Sequence, residues 1–155
     1  MFVDEIKLSV QSGAGGSGSV SFKKTSSKSS PSGGSGGQGG SVIITVNDEF
    51  NDLSHIISNS SLKAENGTDG NKNFQNGKKG KDLIIEVPKG TKIKVENEVY
   101  ADLHENKSSF IVLEGSKAGR GNYDLISKRV PNPQFSEHGE KRNKIEIKLT
   151  YSIYS

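Results

Sequence analysis

Between Gly33 and Gly40 the chain reads GGSGGQGG, with glycine pairs returning at every third position. A helix repeats every 3.6 residues and a strand every 2. Polyproline II turns once in three residues, so this spacing would leave one of its faces bare backbone. That conformer makes no internal hydrogen bonds, and its amides and carbonyls must find neighbours or water. Taken alone, the block reads more readily as a flexible Gly/Ser linker. The rest of the chain reverses that preference. Glycines recur as Gly13, Gly15, Gly16 and Gly18, as Gly67 and Gly70, as Gly77 and Gly80, and as Gly115, Gly119 and Gly121. A tether is one run, whereas these stretches alternate with strand-like segments. Each glycine in ordered structure costs roughly 0.5–1 kcal/mol relative to alanine, so retaining this many points to several extended segments packed backbone to backbone.

The 155 residues suit one domain, and apolar side chains (30%) fall in short blocks separated by polar, glycine-rich sequence. A net charge of +3 is a mild bias toward polyanions and not the dense basic stripe of a duplex-DNA binder. Without cysteine there is neither a disulfide framework nor a thiolate metal site, which fits a reducing cytoplasm. Asp4 and Glu5 stand where a secretion signal would carry lysines, and no apolar block approaches the ~20 residues of a membrane span. A soluble, cytoplasmic protein is expected, with an organellar homologue compatible.

Phe2, Ile6, Leu8 and Val10 share one face of an extended segment, with Val3, Glu5, Lys7 and Ser9 opposite; Ile145, Ile147, Leu149 and Tyr151 repeat the pattern at the far end. The first and last strands therefore suit one sheet. Further strands are predicted at 41–46, 82–87, 91–95, 99–103 and 108–113, with turns at 96–98 and 104–107, so the middle reads as an antiparallel meander. Asp52–Ser58 carries a short helical spacing through Leu53, Ile56 and Ile57. The fold class is all-β, a sandwich or barrel.

The blocks VDEIKLSVQSGAGGSGSVSF, GGSGGQGGSVI, LKAENGTDGNKN, GKKGKDLIIEVPKGT, AGRGN and PNPQFSEHGE follow one another in this order. Together they resemble the amino-terminal domain of the Obg family of GTPases, over nearly the whole chain. The resemblance implies a β base carrying six packed glycine-rich helices of polyproline II type, in a single domain over 1–155. The protrusion would come mainly from about 11–40, 62–81 and 114–140, and the base from about 2–10, 41–60, 82–113 and 144–151. It further implies a monomer that docks on the large ribosomal subunit and its RNA during ribosome biogenesis. An attached G domain, absent from this chain, would bind and hydrolyse GTP with magnesium.

This chain departs from the family pattern in places. After Phe22 it has Lys23, Lys24, Thr25, Ser26 and Ser27 in place of an Arg-Arg-Glu-Lys-Tyr type run. Ser32 and Ser35 replace acidic residues, one glycine pair before Pro31 is missing, and Gln134 replaces an arginine. These changes thin the basic surface. No GxxxxGK[ST] loop is present: Gly77-Lys78-Lys79-Gly80 lacks the upstream glycine and the hydroxyl, Asn71-Lys72-Asn73 is followed by Phe74 where NKxD needs a carboxylate, and no Asp has glycine three positions later. No catalytic residue, metal site or cofactor is expected within this chain. His55, His104 and His138 read as solvated loop residues, and Asp69 with Asn66 and Asn71 as a turn and not a calcium loop.

Candidate RNA-binding residues are Lys23, Lys24 and Lys28 before the main glycine block, Lys72, Lys78, Lys79 and Lys81 around the central glycines, and Arg120, Lys128 and Arg129 after the last group. Phe74 and Tyr123 sit in glycine/asparagine loops where an aromatic either stacks on an unpaired base or anchors its loop to the core; anchoring is the preferred reading. Structural roles are expected for Gly13, Gly15, Gly16, Gly33, Gly34, Gly36, Gly37, Gly39, Gly40, Gly67, Gly70, Gly77, Gly80, Gly119 and Gly121. A ribosomal RNA docking module leads, and a structural or protein-interaction module without RNA binding is the alternative.

Overall fold

The computed structural model describes residues 3–95, 98–103 and 108–152. The positions Phe2, His104 and most of the turns expected at 96–98 and 104–107 lie outside them. Among the described residues ten strands follow in order: β1 (Val3–Gln11), β2 (Phe22–Thr25), β3 (Lys28–Pro31), β4 (Val42–Val46), β5 (Ser60–Lys63), β6 (Leu83–Val87), β7 (Thr91–Val95), β8 (Glu98–Leu103), β9 (Ser109–Leu113) and β10 (Ile145–Ser152). Among the same residues there is no helix.

One sheet has the order β5-β1-β10-β7-β8, a second β6-β4-β9, and β2-β3 stands apart as a hairpin. β1 and β10 pair antiparallel in the register Leu8↔Ile147, so the two alternating patterns meet on one face. Leu8, Val10, Ile147, Leu149 and Ile93 from the larger sheet and Val42, Ile44, Val46, Ile85 and Val87 from the smaller belong to one buried cluster. Two sheets sharing one apolar core is the arrangement of a β-sandwich.

The expected meander is not what forms. Among the described strands of the base, β7 and β8 alone make a hairpin, whereas β4 pairs parallel with β6 and β1 parallel with β5. Parallel pairing needs a long return connection, and the glycine-rich segments between these strands supply it. Between β6 and β7 the chain changes sheets at Pro88-Lys89-Gly90, where Gly90 takes φ 91°, a value that disfavours any side chain. The helix suggested at Asp52–Ser58 is also absent. Asp52 accepts hydrogen bonds from the Ser54 amide and hydroxyl, and the Leu53 amide donates to Asp4, so the segment is a turn that buries Leu53 completely. Seven residues are too few to offset helix nucleation against such local partners.

Among the described residues, six extended segments, at about 11–19, 32–41, 64–71, 74–81, 115–123 and 136–140, leave the sandwich and pack side by side. Their cross-bonds step by three residues. The amides of Gly13, Gly16 and Ser19 donate to the carbonyls of Gly40, Gly37 and Gly34; those of Gly34, Gly37 and Gly40 donate to Asn71, Thr68 and Glu65; those of Ser116, Gly119 and Asn122 donate to Gly13, Gly16 and Ser19. A three-residue step is the period that the glycine spacing anticipates.

Candidate nucleic-acid interface

The bundle is built on backbone approaches too close to admit side chains. A methyl group added to Gly36 would sit 2.0 Å from the Gly16 carbonyl oxygen, and one added to Gly16 would sit 1.9 Å from that of Thr68. Gly13, Gly15, Gly33, Gly34, Gly37, Gly39, Gly40, Gly67, Gly70, Gly77, Gly80, Gly119 and Gly121 face carbonyl oxygens in the same way. So do Gly18 and Gly115, members of the recurring stretches outside the set of expected structural glycines, and Gly139.

Residues between the glycines also need partners for their amides, and side chains from neighbouring segments provide them. Asn66 Oδ1 accepts from Ala14 (2.9 Å) and Asp69 Oδ1 from Ser17 (2.8 Å); Asn76 Oδ1 accepts from Ser35 (2.9 Å) and Asp82 Oδ1 from Ser41 (2.8 Å). Asn66 and Asp69 are thus clamps in an extended segment, a correction to their reading as a turn. Their three-residue spacing, equal to that of the glycines, was the available signal.

At the end of the bundle far from the sandwich three loops emerge together: the β2-β3 hairpin, the turn around 71–75, and the stretch 123–132. Asn122, fully buried, fastens the first of these to the third. Its Oδ1 accepts from the Gly33 amide at 2.7 Å, while its Nδ2 donates to the carbonyls of Ser21 and Pro133, each at 3.0 Å. In sequence Asn122 stands out only as the last residue of AGRGN. A buried amide that ties two loops is invisible without the fold.

This end gathers Lys23, Lys24 and Lys28 from the hairpin, Lys72 from the turn, and Lys128 and Arg129 from the third loop, all exposed. Lys78, Lys79 and Lys81 instead lie along the shaft, where Lys79 is 3.8 Å from Asp82. Arg120 is also on the shaft, and its Nε and Nη2 donate to the two oxygens of Glu137 at 2.9 and 3.0 Å. That fork, together with the Arg120 amide, holds the Glu137 carboxyl down at about 2, and Glu137 in turn raises Arg120.

Phe74 and Tyr123 do not anchor their loops in the core. Phe74 is 44% and Tyr123 48% exposed, and the rings meet edge to face with centroids 4.8 Å apart. Anchoring fails because the backbone already fixes both loops: the Phe74 amide donates to the Ser32 carbonyl at 2.8 Å and the Tyr123 amide to that of Gly33 at 3.3 Å. The sandwich end differs in character. His55 stacks on Phe50 at 3.9 Å and donates through Nε2 to the Glu86 carbonyl at 2.6 Å, and His138 lies on the last bundle segment.

Gly77-Lys78-Lys79-Gly80 does not fit a phosphate cradle. Its Gly77 and Gly80 amides donate to Ser35 and Gln38, and that of Lys78 to the Thr68 hydroxyl, in an extended segment and not a strand-to-helix loop. Among the described residues no group of three His, Asp or Glu could hold a metal ion, and no helix is long and apolar enough to cross a membrane.

A β-sandwich that raises a glycine-packed bundle with cations at its far end defines an all-β module of an uncommon kind. The family model described as GTP1/OBG matches residues 3–153. Among similar proteins, the GTPase Obg of Nautilia profundicola is 41% identical over 99% of this chain and 44% of its own length. The GTPase Obg of Finegoldia magna is 40% identical over 99% of this chain and 37% of its own, and that of Staphylococcus saprophyticus 38% over 99% and 36%. The chain belongs to the GTP1/OBG family and corresponds to the amino-terminal Obg domain, and it spans roughly two fifths of the length of these relatives.

Proposed function

We propose that this domain docks a GTPase onto the large ribosomal subunit during ribosome biogenesis, with the cationic end of the bundle set against ribosomal RNA. The observation that carries the reading is the convergence of Lys23, Lys24, Lys28, Lys72, Lys128 and Arg129 from three loops onto one end of a stiff shaft. Lysines act on phosphate as point charges, so binding follows RNA shape and phosphate position and weakens with salt. The sandwich and bundle act as one monomeric, cytoplasmic unit. GTP, magnesium and the hydrolytic chemistry belong to the remainder of the relatives' length, and the Gly77, Lys78 and Gly80 amides here are taken up inside the bundle.

The test is cosedimentation with large ribosomal subunits over a salt series. Replacing Lys23, Lys24, Lys28 and Lys72 by Gln should reduce pelleting and flatten its salt dependence, by a slope of about 0.7 for each phosphate left without its cation. Replacing Lys78, Lys79 and Lys81 should do less. Absence of pelleting at low salt, or indifference to the first set, refutes the reading.

A further inference from the structure

We infer that Phe74 and Tyr123 form a stacking seat for one unpaired RNA base at the end of the bundle, an inference that rests on the docking role proposed above. Two half-exposed rings at 80° to each other cannot cover both faces of both, so aromatic surface stays open between the loops. The Nζ of Lys23 lies over the Phe74 ring, 5.9 Å from its centroid, a cation that an incoming base would displace toward its own flanking phosphate.

The backbone gives the second, independent sign. Asn73 and Phe74 adopt φ of 59° and 61°. Asparagine tolerates this left-handed region, but a bulky aromatic there is an outlier, and such outliers gather at functional sites. At Phe74 no burial in the core offsets the strain. The ring is held out at the surface in a conformation that glycine or asparagine would adopt more readily, so its presence is accounted for by something it meets outside the chain.

The surroundings favour a nucleic acid over an apolar protein surface. Lys24, Lys28 and Lys72 are exposed on the adjoining hairpin and turn, while the nearby carboxylate of Asp124 is engaged by the Ser35 hydroxyl and that of Asp69 by the Ser17 amide. Every base has a π face, so the pair does not read sequence; it selects splayed, single-stranded RNA over duplex.

The probe is a single-stranded heptanucleotide RNA with 2-aminopurine at its centre, beside a counterpart with an abasic centre. Adding the chain should quench the 2-aminopurine emission, and the abasic probe should bind about tenfold more weakly by anisotropy. Phe74→Asn suits the local backbone while removing the ring, so it should stay folded and lose the quench; Tyr123→Leu should weaken it. Lys23→Gln should lower affinity and salt dependence with the quench retained. Binding without quenching, quenching unaltered in Phe74→Asn, or equal affinity for a duplex overturns the seat. If the chain still pellets with large subunits in a salt-dependent way, only the seat has failed. Pelleting that ignores salt points to a protein partner and overturns the docking reading as well.

Discussion

The sandwich and the bundle are held together by opposite means. In the sandwich, Leu8, Ile44, Ile93 and Leu149 fill the space between sheets, and the side chains are the core. In the bundle, carbonyl oxygens occupy the space where side chains would stand, and the core is backbone. A side-chain core yields to a change in volume by shifting rotamers. A core of hydrogen-bonded carbonyls has no rotamers to shift, so the bundle should be far less tolerant of small additions than the sandwich is of small deletions.

Gly36→Val gives the sharpest break. The first carbon added already lies 2.0 Å from the Gly16 carbonyl oxygen and 2.2 Å from its carbon, and both are locked into neighbouring segments. The expected loss exceeds about 4 kcal/mol, the range reserved for structural failure. Amide exchange should show protection lost across the bundle while Leu8, Ile44 and Leu149 stay protected. A variant with the bundle amides still protected would show that the packing is slack and the comparison wrong. Ile44→Val, which removes one methylene from the sandwich core, should cost only about 0.5–1.5 kcal/mol by denaturant unfolding.

Asn122→Ala tests whether the loop end depends on the shaft beneath it. The variant strands the buried Gly33 amide and frees the carbonyls of Ser21 and Pro133, with an expected loss of about 1–3 kcal/mol. Fast exchange should be confined to 20–33 and 122–133. Uniform destabilisation would mean that the two regions unfold as one. Phe74→Asn moves the other way, since relief of the left-handed strain should raise stability by about 1 kcal/mol, read as a higher thermal midpoint.

The same contrast explains what the residue pattern revealed. The residue pattern marked β1 and β10 by apolar alternation, the period of two of a half-buried strand, and β4, β6, β7, β8 and β9 by β-branched enrichment. It missed β5, whose SSLK is mostly polar, and β2 and β3, whose FKKT and KSSP are exposed except at Pro31. Sheet order was not legible either, since the parallel pairings depend on where the bundle returns the chain. Glycine spacing disclosed the bundle and its period of three. Which segment meets which was hidden, because glycines carry no partner code; that code sits in Asn66, Asp69, Asn76 and Asp82, whose side chains take the amides the glycine ladder leaves over. For the candidate interface, charge alone could not separate cations at the loop end from those on the shaft, nor show that Arg120 is occupied by Glu137.

The Arg120–Glu137 pair sets the smallest expected effect, and it asks whether an exposed ion pair contributes to the bundle. The Glu137 carboxyl lies at about 2 in the folded chain against an ordinary value of 4.5, because Arg120 holds it from both its guanidinium and its amide. A carboxylate depressed on folding adds stability that is complete above its unfolded value and fades as pH falls through its folded one. The contribution should therefore be whole above about pH 5 and largely gone near pH 2. Both groups are open to water, so the effect is small and further reduced by salt. Thermal midpoints of the chain and of Glu137→Gln should differ at neutral pH and converge toward pH 2. Curves that stay parallel to pH 2 would mean that the pair fastens nothing and that backbone bonds, with the Ser17 and Ser136 hydroxyls, hold the last segment to the shaft.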